Sequence, residues 1–309
     1  MGLGYSRPLY LLPFDHRHSY VTGMFRLTPP LTAGQTAAVI DSKRVIYDGF
    51  REALSEEVFA TSAGVLVDEE FGYGILRDAA KSGYVTALSV EQSGKDEFAF
   101  EYGDMFVSHI EAFAPTFAKA LVRYNPEGDA IVNTRQIAKL RRLSDYCRTA
   151  GQGFMFELLV PATEVQGQRS LGDAATYDQW MRPALTLDAI RTLQDAGVEP
   201  DIWKIEGFNR REDYERVVAA ARRDGRDDVG CIVLGRRAEV HQVERWLETA
   251  ASVPGVIGFA VGRTTYWDAV ADYLARRTTR HEAALRIALR YRKWVGIFER
   301  AHRLRPSAA

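Results

Sequence analysis

Eight short, almost wholly apolar runs alternate with longer amphipathic runs along 309 residues, and no linker, charge block or low-complexity tract divides them. That alternation predicts an α/β fold, a closed (β/α)8 TIM barrel. Strands apolar on both faces are parallel strands covered by helices, and the count reaches the eight needed for closure. An open doubly wound sheet is the competitor. It is disfavoured by the count and by the lack of a Gly-x-Gly-x-x-Gly turn after the first strand.

Taken in order, the strands are expected at residues 8–14, 64–67, 85–90, 117–123, 154–160, 202–206, 229–234 and 256–261. Helical periodicity fills the gaps, most clearly at 42–54, 134–148, 177–195, 211–223 and 238–250. Boundary residues agree with this order. Asn133-Thr134 is expected to open a helix that Gly151 closes, and Asp188 to Gly197 repeats the device before the sixth strand. Residues 1–309 are thus expected to form one barrel domain, with 280–301 as an additional C-terminal helix carrying Leu285, Leu289, Trp294, Ile297 and Phe298. That helix would cover the barrel exterior or serve a partner, and a homo-oligomer is expected.

Composition narrows the class. With 40 Lys+Arg against 41 Asp+Glu, the net charge of −1 offers no field for nucleic acid or an anionic membrane. Two cysteines, Cys147 and Cys231, give no disulfide framework. The mean hydropathy is −0.22, and no apolar run reaches membrane-spanning length. The opening Met1-Gly2-Leu3-Gly4-Tyr5-Ser6 fits a loose myristoylation pattern, but without a basic patch behind it the match reads as chance. A soluble, cytoplasmic protein acting on a small molecule is the expectation.

In such a barrel the chemistry gathers at the C-terminal ends of the strands. Those ends read Phe14-Asp15-His16-Arg17, Val67-Asp68-Glu69-Glu70, Val90-Glu91-Gln92, Lys119 to Arg123, Glu157, Lys204-Ile205-Glu206, Leu234-Gly235-Arg236 and Val261-Gly262-Arg263. Charge inside an apolar strand is costly unless paired, so these positions favour function over packing. Of the lysines, only Lys119 and Lys204 fall within strands. Strand alternation puts Ile202, Lys204 and Glu206 on one face. Two readings of Lys204 stand: a structural ion pair, or a nucleophile that must shed its proton from an ordinary pKa of ~10.4. Lys119 would then be a neighbouring cation, with Glu157 or Glu206 relaying protons.

The twin Gly-Arg ends of strands seven and eight point to a phosphate site, with Gly235 and Gly262 admitting backbone N–H groups and Arg236 and Arg263 adding charge. Gly258, Ala260 and Gly262 share a face and would leave room for the ligand. Arg17 and Glu206 complete the expected substrate contacts. A metal site would have to begin with His16 and His18, since His109, His241, His281 and His302 lie on expected helices; none is expected. Asp68, Glu69 and Glu70 read as solvated loop charge, Tyr177 and Trp180 as core, and the basic face of Arg135, Lys139, Arg141, Arg142 and Arg148 as solvent-facing. No Gly-x-Ser-x-Gly or Cys–His arrangement supports another nucleophile.

Four segments carry a resemblance: Pro8-Leu9-Tyr10-Leu11-Leu12-Pro13-Phe14-Asp15-His16-Arg17, Trp203-Lys204-Ile205-Glu206-Gly207, Gly258-Phe259-Ala260-Val261-Gly262-Arg263-Thr264, and the stretch 287–299 around Arg290-Tyr291-Arg292-Lys293-Trp294. From about Pro8 to His302 the chain resembles the C-terminal domain of bacterial inositol-catabolic kinase–aldolase fusions, the 5-dehydro-2-deoxyphosphogluconate aldolase-like family. More distantly it is similar to class I tagatose-bisphosphate aldolases and their sulfosugar-phosphate relatives. The resemblance implies a Schiff-base aldolase without metal or other cofactor. Its lysine would fall on Lys204, its glutamate on Glu157, its second lysine on Lys119, its strand-one aspartate on Asp15 and its phosphate arginine on Arg263. The kinase half is absent from this sequence, so a sugar phosphorylated elsewhere is the implied substrate. Dihydroxyacetone phosphate and an aldehyde such as malonate semialdehyde are the implied products. A non-catalytic sugar-phosphate sensor is the alternative of a different class.

Overall fold

The computed structural model describes residues 2–54, 58–236 and 238–304. Eight parallel strands close into a barrel in chain order: β1 (Leu9–Pro13), β2 (Ala63–Val67), β3 (Val85–Ser89), β4 (Phe117–Arg123), β5 (Gly153–Leu159), β6 (Ile202–Glu206), β7 (Gly230–Leu234) and β8 (Val256–Ala260). All eight expected strands are present, within a residue or so at each end. The surrounding helices are α1 (His18–Tyr20), α2 (Ala33–Leu54), α3 (Glu69–Lys81), α4 (Phe106–Phe113), α5 (Ala130–Ala150), α6 (Glu164–Arg169), α7 (Ala174–Trp180), α8 (Arg182–Asp195), α9 (Arg211–Ala221), α10 (Val240–Ala251), α11 (Arg263–Leu274) and α12 (Arg280–Arg303). Among the described residues no helix is long and apolar enough to cross a membrane.

Three helix boundaries depart from the sequence expectation, each for a capping or backbone reason. Residues 42–54 form only the second half of α2, whose N-terminus is set by Thr32 and Gln35: each side chain meets the other's backbone N–H, a capping box. α5 starts at Ala130 rather than Asn133-Thr134, because Asp129 accepts from the N–H groups of Ile131 and Val132. Its expected end holds, with Gly151 left-handed at φ 67°. The run 177–195 is two helices, α7 and α8, broken at Met181 where Pro183 enters the first turn of the second.

Two separate cores follow from the closed sheet. One lies between strands and helices, while the barrel interior holds its own cluster, including Leu9, Leu11, Leu66, Phe117, Met155, Ile202 and Ile232. α12 sits in the helical ring rather than outside a completed one. Its Phe298 packs on Tyr10 of β1 and Phe259 of β8 at ring distances of 5.8 and 6.1 Å, and the Tyr291 hydroxyl donates to the Tyr10 carbonyl at 2.7 Å. The helix therefore covers the seam between the first and last strands. Its buried stripe includes Trp294, Ile297 and Phe298, as expected, but Leu289 is exposed. The strand-eight glycine is a packing feature: a Cβ on Gly258 would lie 1.7 Å from the Leu9 carbonyl oxygen, so glycine is needed for β8 to approach β1, not to make room for a ligand.

Candidate active site

Strand alternation carries charge into the upper half of the barrel. Lys119 is two residues past Phe117 on β4, Glu157 two past Met155 on β5, and Lys204 two past Ile202 on β6; Glu157 and Lys204 are direct register partners. Asp15 arrives from the end of β1 and Glu91 from beyond β3. Lys119 is fully buried and is the hub. Its Nζ lies 2.7 Å from Asp15 Oδ2, 2.8 Å from Glu91 Oε1 and 2.8 Å from Glu157 Oε2. Glu157 turns its other oxygen to Lys204 Nζ, also at 2.8 Å. Thus Glu157 joins the two lysines.

The charges hold one another in place. Burial alone would raise the Asp15 acid, but Lys119, His16 and Lys204 pull it far below the usual carboxylate range. Burial likewise opposes ionisation of Glu157, and the Lys119 and Lys204 ammoniums overcome it, leaving that acid lowered. Burial would strip Lys119 of its proton; the three carboxylates win, and its ammonium is held above the ordinary lysine value. His16, beside Asp15 and 3.4 Å from the Tyr266 hydroxyl, is pushed down to about 4 by burial, against the pull of Asp15 and Glu157. It is neutral at physiological pH.

Above this layer opens a cavity of about 330 Å³. Asp15, Glu91, Glu157 and Lys204 line it, together with Arg17, Gly235, Arg236, Gly262 and Arg263. On the β7–β8 side Arg263 opens α11, donates through Nη2 to Ser19 Oγ at 2.8 Å, and leaves its Nε buried without a hydrogen-bond partner. Arg236 also faces the cavity, but its guanidinium is engaged by Asp178 at 2.5 Å and Glu206 at 2.8 Å. On the opposite side a short hairpin covers the mouth: Glu91 bridges Phe100, and residues 93–97 form its tip against the cavity.

Two expected substrate contacts are placed differently. Glu206 is buried but does not line the cavity. It accepts from the Val160 N–H at 3.0 Å and pairs with Arg236, so it fixes the rim after β5. Arg17 does reach the cavity wall, but two of its guanidinium nitrogens are committed, Nη1 to Glu101 at 2.7 Å and Nη2 to the Glu91 carbonyl at 2.5 Å. Asp68 is not solvated: it is fully buried, accepts from Phe71 N to cap α3, and pairs with the buried Lys43 of α2. Trp180 is exposed rather than core, whereas Tyr177 is buried with its hydroxyl on the Val160 carbonyl. The basic face of α5 is partly neutralised, Arg135 and Lys139 by Glu97 and Arg142 by Asp104. The residue the sequence underrated is Glu91; its inward parity with Val85, Ala87 and Ser89 was the available signal. Among the described residues no group of three or more His, Cys, Asp or Glu side chains is arranged to hold a metal ion.

Fold and site together define a barrel protein whose cavity is built on two lysines sharing a carboxylate. The chain belongs to the family DUF2090, "uncharacterized protein conserved in bacteria", which matches residues 5–302. It is similar to the tagatose 1,6-diphosphate aldolases of Listeria monocytogenes serotype 4a and Listeria innocua serovar 6a, 25% identical over 177 residues, 56% of this chain and 50% of each relative. The chain thus spans about half the length of the curated relatives it matches. Among solved structures it is similar to the fructose-bisphosphate aldolase of Plasmodium falciparum (TM-score 0.61, 11% identity, 99% of this chain and 93% of that one). It is also similar to an archaeal fructose-1,6-bisphosphate aldolase whose catalytic lysine carries a carbinolamine (TM-score 0.56, 15% identity, 94% and 93%). At these identities the likeness establishes the shared barrel fold.

Proposed function

We propose that this protein is a class I aldolase, with Lys204 the amine that forms a Schiff base with the ketone of a phosphorylated keto-sugar or keto-acid. One observation carries the reading: the Lys204 amine stands in the wall of an open cavity with a carboxylate oxygen at 2.8 Å, while the neighbouring lysine is tied to three carboxylates and sealed from that cavity. The aldolase names of the sequence relatives support the same reading.

Attack requires the neutral amine. Glu157 Oε1 is placed to take the proton as the Lys204 nitrogen bonds to the ketone carbon. The nitrogen's second proton passes to the new alkoxide, making the carbinolamine hydroxyl, and Glu157 gives back the proton it took from the Lys204 ammonium so that this hydroxyl leaves as water and yields the iminium. The breaking C–C bond gives its electron pair to the iminium, forming an enamine, while the hydroxyl on the far carbon loses its proton and becomes the aldehyde carbonyl. Protonation and hydrolysis of the enamine free the ketone half, dihydroxyacetone phosphate. Lys119, fixed as a cation, keeps Asp15 and Glu157 ionised to receive hydroxyl protons. Arg263 and the strand ends at Gly235 and Gly262 supply the phosphate end.

For the aldehyde half, the relatives point to tagatose bisphosphate and the sequence resemblance to 5-dehydro-2-deoxygluconate 6-phosphate, which would release malonate semialdehyde. A panel assay separates these. Incubation with dihydroxyacetone phosphate and borohydride tests the chemistry: a stable adduct on the Lys204 peptide is expected, and Lys204→Ala should lose both the adduct and turnover while remaining folded. Absence of an adduct in the wild type, or an undiminished adduct in the folded Lys204→Ala protein, rejects the assignment.

A further inference from the structure

The three carboxyl groups around Lys119 are not equivalent. Glu157 Oε2 lacks an aligned hydrogen bond, but both Glu157 oxygens lie 2.8 Å from an ammonium group. Asp15 gives Oδ2 to Lys119, and its Oδ1 lies 4.0 Å from the His16 ring. Glu91 gives Oε1 to Lys119, but its Oε2 is buried and has no hydrogen-bond partner. Beside it, Arg17 spends its two terminal nitrogens on Glu101 and on the Glu91 carbonyl, and its Nε is also buried without a partner. Both residues are at least nine-tenths buried and both line the cavity.

An orphaned acceptor and an orphaned donor on adjoining side chains call for one kind of visitor. A buried polar atom left unmatched is costly, and a group entering the cavity can relieve that cost. A hydroxyl both donates and accepts, so it can meet the unmatched acceptor Glu91 Oε2, with Arg17 as the neighbouring donor side chain. A phosphate or carboxylate offers no hydrogen and would meet the Glu91 charge. Glu91 is also held rigidly: its backbone is bridged to Phe100, and Arg17 grips its carbonyl. Burial, opposed by Lys119 and Arg17, raises its acid above the usual value, in keeping with a site built for a neutral group.

We propose that Glu91, positioned by Arg17, is a specificity residue that receives a substrate hydroxyl, so that the cavity selects a polyhydroxylated ketose phosphate lying with its phosphate toward Arg263 and a carbinol carbon against the β3 end. This rests on the aldolase reading and narrows its substrate class.

The test measures equilibrium binding of tagatose 1,6-bisphosphate and its singly deoxygenated analogues on a Lys204→Ala background, which holds the ligands uncleaved, with Glu91 intact or replaced by Ala. With Glu91 intact, one analogue should bind roughly tenfold more weakly than the parent, the loss of one charge-assisted hydrogen bond. With Glu91→Ala that gap should close to within about twofold, because the variant weakens the parent and not the analogue. A purely structural role would weaken both alike. Glu91→Met, which fills the volume without the acceptor, serves if the alanine variant fails to fold. Borohydride trapping of dihydroxyacetone phosphate at Lys204 in the single Glu91→Ala protein reports on the aldolase reading separately. Trapping without any Glu91-dependent gap overturns the specificity assignment alone, and no trapping in the wild type overturns both.

Discussion

Follow β4, β5 and β6 upward and each changes character within two residues: Phe117 gives way to Lys119, Met155 to Glu157, Ile202 to Lys204. The lower layer is an apolar plug that gains free energy from leaving water. The upper layer loses hydration and is held by mutual compensation, three carboxylates against Lys119, Lys204 and Arg17. Identical backbone thus supports opposite energetics, and only the upper layer has anything to offer a substrate. Buried charge is not the distinguishing mark. Lys43 and Asp68 are both fully buried and paired, with aromatic rings of Tyr20 and Phe71 near the ammonium, yet neither lines the cavity. Access separates a site from a structural pair.

The contrast is breakable. Its largest test is Lys119→Met, because this one residue belongs to the upper layer in charge and to the core in burial. Three carboxylates would then face one another without their central cation. A loss of about 3–5 kcal/mol at pH 7.5 is expected in urea denaturation, together with loss of turnover, and the stability deficit should shrink towards pH 5 as the carboxylates protonate. Wild-type stability would mean the hub is not what holds the layer together. Next comes Ile202→Ala in the plug, one side chain below Lys204. It should cost about 3 kcal/mol yet leave turnover per folded molecule within about threefold. A large fall in turnover without a loss of stability would erase the division between the layers.

The last effect, absent at neutral pH, concerns His16. It is kept neutral in the folded protein to about pH 4, whereas the unfolded chain takes up a proton below its ordinary value near 6.5. Between those values the unfolded state binds more protons, so stability falls as pH drops, by up to about 1.4 kcal/mol per pH unit, and the contribution is fully present above 6.5. His16→Gln should flatten the stability–pH curve in that window and leave it unchanged at pH 8. An unaltered slope would place the imidazole in solvent.

Much of this layout was legible in the primary structure because strands report themselves twice, through apolar runs and through strict alternation. Alternation alone placed Lys204 in line with Ile202. What escaped was decided between elements rather than along them. Lys43 lies on an amphipathic helix, where nothing local says which polar residue will meet Asp68. Glu206 has inward parity, but at the strand's last residue the Val160 N–H and Arg236 draw it onto the rim. Arg17 was expected to contact substrate, and only the folded hairpin brings Glu101 and the Glu91 carbonyl within its reach. Glu91 fell outside the expected site set because one unsatisfied oxygen is a three-dimensional fact.

The seam covered by α12 has a consequence for how the molecule is made. The helix that shelters β1 and β8 follows both of them in the chain, so a growing polypeptide emerging from the ribosome cannot complete its ring until Arg280–Arg303 has been made. Until then the outer faces of Tyr10 and Phe259 lack their cover, and the nascent protein carries an adhesive stripe that a chaperone, or a neighbouring copy, is free to find.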